Sequence, residues 1–156
     1  SLLDEMLSAA NLAPSWKNSQ TPRFYVATGE KSKNAVREAL PEFNRKNSEN
    51  ASAYIVTTVV LNRSGFDKDG TAVTEIGNGW GYYDLGLNNM ALLLKATELG
   101  ISTLVMGIRD GEKLRKEFDI PETEAVVSVI AVGYTDSEIV RPKRKSVEDF
   151  AKFYEE

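Results

Sequence analysis

The chain has 156 residues, 42% hydrophobic and 27% charged, enough for one ordinary domain with a buried core. It contains no cysteine and no histidine, which excludes disulfides, Cys/His zinc sites, thiol nucleophiles and every Ser-His-Asp or Cys-His relay. A formal charge of −4 argues against a general nucleic-acid binder. Any enzymatic chemistry must therefore fall to a bound cofactor or to carboxylate, Lys, Tyr or Ser side chains.

In chain order, Leu3, Met6, Leu7 and Ala10 recur at helical spacing up to Pro14. A polar loop, Pro14 to Pro22, leads into a short strand, Arg23–Thr28, closed by Gly29. Lys31–Leu40 reads as a helix, and Pro41–Asn50 as an irregular or weakly helical stretch. Ala53–Leu61 is rich in β-branched residues and almost free of charge, the pattern of a strand buried on both faces. A loop rich in glycine and charge, Asn62 to about Trp80, precedes a long helix from about Tyr82 to Leu99 with Gly100 as its C-cap. That helix is apolar on most of its circumference, which suits a large core or a subunit interface.

A strand Ile101–Met106, a helix Gly111–Phe118, a strong strand Ala125–Tyr134 and a short amphipathic tail helix Val147–Tyr154 complete the chain. Two central strands among helices predict a three-layer α+β or α/β domain over residues 1–156. The opening segment lacks the basic region of a signal peptide. The most apolar helix is interrupted by Asp84, Asn88, Asn89, Lys95 and Glu98, which rules out a membrane span. A soluble cytoplasmic protein without nucleic-acid or membrane partners is expected.

Two glycine-containing motifs are set aside. Gly77-Asn78-Gly79-Trp80-Gly81 lacks the third glycine and the preceding strand of a dinucleotide fingerprint. Asp67-Lys68-Asp69-Gly70 starts like a calcium loop, but its next ligand and glycine are out of register. A surface turn is expected there, and no metal.

The loop Ala13–Phe24 carries more information, packing amides, hydroxyls and cations between a helix and a strand. It suits turn chemistry and ligand contact alike. Its sequence, AANLAPSWKNSQTPRFYV, resembles the opening motif of the FMN-dependent nitroreductase family. Three further segments resemble that family in the same order. They are Gly81–Met90 (its long interface helix), Leu99–Gly107 (its glycine turn), and Val129–Tyr134 with Arg141–Asp149 (its closing strand and basic segment).

The resemblance implies an α+β nitroreductase-like fold with a central, mostly antiparallel sheet flanked by helices. It also implies a homodimer with FMN in clefts at the subunit interface, NADH or NADPH as donor, and a ping-pong cycle. The acceptor would be a small molecule: a nitroaromatic, a quinone or a similar compound. Family members usually carry an Arg-rich segment ahead of the first helix, and it is absent from this chain. The family's Gln-Pro-Trp stands here as Gln20-Thr21-Pro22.

By resemblance, backbone groups of Pro14, Ser15 and Trp16 approach the flavin ring from the partner, and Met106-Gly107 offers a backbone N–H toward it. Asn18 and Gln20 have donors and acceptors for the ring's pyrimidine edge. Arg141, Lys143 and Arg144, with Lys145, form the densest cationic cluster, which reads either as a phosphate site or as a solvated turn. Trp80 and Tyr82 are either substrate-side walls or ordinary packed aromatics. No catalytic side chain is required, since a flavin carries hydride chemistry itself. Two other readings share the fold: a flavin dehydrogenase or dehalogenase-like enzyme, and a non-catalytic flavin- or ligand-binding domain.

Overall fold

The structure is a computed structural model and describes residues 1–155. Its helices are α1 (Leu2–Asn11), α2 (Glu30–Glu38), α3 (Glu42–Asn47), α4 (Gly79–Glu98), α5 (Gly111–Glu117) and α6 (Val147–Phe150). Its strands are β1 (Pro22–Ala27), β2 (Ala53–Val60), β3 (Ser102–Met106) and β4 (Glu124–Gly133). They form one sheet in the order β1-β2-β4-β3, and every pairing is antiparallel. The two strands with the strongest β pattern hold its centre.

Alternation along β2 divides the core. Ala53 and Ile55 face one layer with Met6 and Ala10 of α1 and Leu92 and Ala96 of α4. Tyr54 and Val56 face the other with Val36 of α2, Leu114 of α5 and Met106. Period-two burial on both faces is what the charge-free strand requires. The result is the three-layer α+β fold expected from the sequence.

Some boundaries differ from expectation. The long helix starts at Gly79, ahead of Tyr82, because its glycines allow close packing: a Cβ on Gly81 would stand 2.9 Å from Val59 Cγ2. Within Pro41–Asn50 the weakly helical alternative holds, as the six-residue helix α3. The tail helix stops at Phe150, and Ala151 is already extended. Val147, Phe150, Phe153 and Tyr154 are all exposed, so no packing sustains a helix through Tyr154.

On the α5 side, the Glu124 carboxyl group is buried and accepts hydrogen bonds from the hydroxyls of Tyr25 (2.9 Å) and Thr58. Burial, then the bond to Glu124, pushes the Tyr25 phenol up to about 12. A folded-state pKa above the ordinary 10 means this contribution to stability is complete below pH 10 and is lost as pH rises through 12. Urea titrations should show the wild type losing more stability between pH 10 and 12 than Tyr25→Phe. Equal losses would contradict this account of the phenol.

Candidate functional site: a polar cavity under the α1–β1 loop

After α1 ends at Asn11, the chain takes ten residues to reach β1, and that loop is built against its own backbone preferences. Trp16–Asn18 form a single 3-10 turn, and Lys17, Asn18 and Gln20 all have left-handed φ, between 46° and 54°. For residues with a Cβ this conformation costs of order 1 kcal/mol or more each, Asn tolerating it best. Something must hold the loop in place.

The anchor is Asp84, in the second turn of α4 and only 2% exposed. Its side-chain oxygens accept the Trp16 backbone N–H at 3.1 and 3.2 Å. The buried Ser64 hydroxyl donates to the same group. The Trp16 ring lies on Trp80 at a centroid distance of 4.8 Å, and Trp80 meets Tyr83 edge-on at 5.7 Å. Inside the loop, the Gln20 N–H donates to Ser15 Oγ at 3.0 Å. The Arg23 guanidinium closes the far end by donating to the carbonyls of Gln20 (2.7 Å) and Pro22 (2.8 Å).

Between this loop, α1, the start of β1 and α4 lies a cavity of about 420 Å³. That is within the size range of small-molecule sites. Leu7, Pro22 and Phe24 supply apolar wall, while Asn11, Ser15, Ser19, Gln20, Arg23 and Asn88 supply polar groups. Two of the lining residues carry buried polar atoms with no partner, Ser19 Oγ and Asn88 Oδ1, and the same loop holds two more outside the cavity lining, Trp16 Nε1 and Thr21 Oγ1. Unpaired buried groups are rare in folded proteins, and a concentration of them marks a place that takes a polar ligand.

Of the residues singled out in the sequence, Ser15 and Gln20 line this cavity. Pro14, Trp16 and Asn18 belong to the same loop, and the Asn18 and Gln20 side chains are exposed without partners among the described residues. Met106 ends β3, at the opposite edge of the sheet, and Gly107 follows it. Because β1 begins and β3 finishes at the same end of the sheet, loop and turn share that end. Across the sheet they are separated by three strand spacings, roughly 14 Å, and along the strands Met106 is level with Tyr25, three residues further on than Pro22. Met106 is buried in the core, whereas Gly107 faces open space. Arg141, Lys143 and Arg144 lie on an exposed tail beyond β4, where Arg144 donates to the Pro142 carbonyl at 3.0 Å.

Trp80 is a packed aromatic, its Nε1 donating to Thr74 Oγ1 at 2.8 Å, and Tyr82 is partly exposed. Asp67–Gly70 is a surface turn closed by the Gly70 N–H on the Asp67 carbonyl. Among the described residues no cluster of His, Cys, Asp or Glu could hold a metal ion, and no helix is long and apolar enough to cross a membrane.

The residues that sequence reading missed are Ser64, Asp84 and Asn88. Asp84 and Asn88 counted only as interruptions of an apolar helix. Their i, i+4 spacing puts both on one face, and two polar residues stacked on an otherwise apolar helix were the available signal.

The fold matches nitroreductase-fold proteins of known structure. The nitroreductase family protein from Streptococcus pneumoniae TIGR4 superposes with a TM-score of 0.82 at 20% identity, over 98% of this chain and 88% of the other. CLA-ER, an enone reductase of gut-bacterial fatty acid saturation metabolism, gives 0.83 at 20% identity, over 97% and 85%. An oxidoreductase containing FMN gives 0.73 at 25% identity, over 87% and 67%. A search of curated protein sequences yields no match. The family model of the nitroreductase family matches residues 1–134, and the chain belongs to that family.

Replacing Asp84 with Ala leaves the Trp16 N–H and the Ser64 hydroxyl unpaired in the interior. At about 1–3 kcal/mol for each stranded donor, the variant should lose about 3 kcal/mol of stability in urea titrations. A loss below about 1 kcal/mol would show that the loop is held by the packing of Trp16 against Trp80 instead.

Proposed function

We propose that this nitroreductase-family oxidoreductase is an FMN-dependent NAD(P)H oxidoreductase that reduces a small-molecule acceptor. The observation that carries the reading is the cavity beneath the α1–β1 loop, with its unpaired buried polar atoms. A flavin edge, itself a row of hydrogen-bond donors and acceptors, is chemically suited to such a lining. One structural relative, at 25% identity, is an oxidoreductase containing FMN. When bound, FMN would supply two-electron chemistry, taking a hydride from the nicotinamide and giving electrons to a nitroaromatic, quinone or similar acceptor.

The chain's own part is to bind and orient. In this reading Ser15, Gln20 and Asn18 offer hydroxyl and amide groups to the ring, and the backbone of Pro14–Trp16 borders it. The Met106-Gly107 turn, where no side chain obstructs approach, serves a second copy of the site from the partner subunit. Arg141, Lys143 and Arg144 neutralise the phosphate, swinging in from the exposed tail. Residues 1–156 act as one cytoplasmic domain.

The surface supports homodimerisation. Tyr83, Leu87, Met90 and Leu94 run along the outer side of α4, and Tyr83, Met90 and Leu94 are 60, 51 and 59% exposed. Beside them a groove of about 680 Å³ between α1 and α4 adds Leu12. A continuous apolar strip of this kind marks an association surface. Light scattering at micromolar concentration should give the mass of a dimer. A stable soluble monomer would contradict the assignment.

The function itself is tested by spectroscopy. Protein loaded with FMN should show the oxidised flavin spectrum and bleach on anaerobic addition of NADH or NADPH. The chain has no His or Cys. The side chains with displaced pKa values move away from neutrality: Tyr25 upward, and Asp4, Glu30 and Asp69 downward. The bleaching rate in stopped flow should therefore stay nearly flat from pH 6 to 8. Binding without bleaching would favour the non-catalytic flavin-binding reading, and a steep bell would reveal an acid or base this account does not contain.

A further inference from the structure

β3 ends at Met106, opposite Val129, and from there back to Glu124 β4 has no strand on its β3 side. Backbone carbonyls in that stretch need other donors. Two arginines supply them: Arg115 donates to the Glu124 carbonyl at 2.8 Å, and Arg109 donates to the Val126 carbonyl. Val126 stands beside a register shift in the β2–β4 pairing, the kind of irregularity that re-aims neighbouring groups.

Arg109 lies two residues after Gly107, so its grip on β4 fixes the turn that leaves β3. Two more bonds tie that turn to the helical layer. The Asp110 N–H donates to the Ala39 carbonyl at 2.7 Å, and Asn44 Nδ2 donates to the Ile108 carbonyl at 3.1 Å. Ile108, Arg109 and Asp110 are each held, but the Gly107 N–H has no acceptor among the described residues. Gly107 is exposed, and nothing lies within 4 Å of the place a Cβ would take. A free donor on a turn held at three points is pre-organised for an acceptor.

We propose that Arg109 is a positioning residue: by clamping the turn to Val126 it aims the Gly107 N–H at the flavin ring. The assignment rests on the FMN reading above and adds a residue that acts through the turn alone. Two-electron reduction adds negative charge to the ring, so a fixed N–H favours the reduced form over the oxidised. A loosened turn gives up that preference.

The test uses Arg109→Met, which keeps an apolar stem and removes every donor, and Arg109→Lys, which keeps the charge and one donor group. In the flavin-free proteins, hydrogen exchange at the Asp110 amide reports opening of the turn, and the β2 amides report the fold. Arg109→Met should exchange Asp110 about tenfold faster than wild type, with β2 unchanged. Loaded with FMN, it should show a midpoint potential about 30 mV lower, a tenfold loss of preference for reduced flavin. Arg109→Lys should recover at least half of both shifts together.

A merely structural residue would weaken oxidised and reduced flavin alike and leave the potential where it was. That result would overturn the assignment, as would loss of β2 protection in Arg109→Met. So would an Arg109→Lys potential that returns with the charge while Asp110 still exchanges fast. Each leaves the FMN reading intact. Wild type that binds no FMN would overturn both.

Discussion

One buried acid organises the candidate site. Asp84 is taken out of water on a helix packed against the central sheet, and it accepts from the backbone of a loop 68 residues earlier. A buried acid left unpaired is costly, whereas one accepting well-placed donors fixes those donors tightly. Trp16, its tilted contact with Trp80 and the left-handed residues that follow all take their positions from that contact. The strain in Lys17, Asn18 and Gln20 persists because the surroundings over-determine it. In a loop that lines a polar cavity, such strain is a form of pre-organisation.

The sheet then sets what one chain can do alone. Its β1-β2-β4-β3 order sends the cavity loop and the Met106-Gly107 turn to the same end but to opposite edges. The exposed apolar strip on α4 adjoins the α1–α4 groove. Pairing two chains along α4 would let the loop of one approach the turn of the other. That is the arrangement proposed for the flavin, and it accounts for a site whose elements stand apart within a single chain. The family model matches residues 1–134, and the tail from Arg141 onward adds the densest cationic cluster of the chain.

The fold was legible because burial writes directly onto sequence. AYIVTTVV and EAVVSVIAVG are too apolar for anything but central strands, and both occupy the centre of the sheet. Helix starts and the tail were less so. At the start of α4 Ile76 leaves no room for a Cβ on Gly79, and Val59 none on Gly81, a tertiary fact that propensity does not encode. In the site, the loop announced itself by composition and family resemblance. Its anchors did not, since Asp84, Ser64 and Asn88 are single polar residues whose meaning lies in partners far along the chain. A buried polar residue in an apolar helix can be spotted in sequence, but its hydrogen-bond partner cannot.

The central claim is that Asp84 holds the loop as firmly as the core holds the sheet. Hydrogen exchange at the Trp16 amide measures this directly, because that N–H has no other acceptor. The account predicts slow exchange of Trp16, with protection approaching that of the β2 amides and lost in Asp84→Ala. Exchange of Trp16 at the rate of an unstructured peptide, while β2 stays protected, would contradict it.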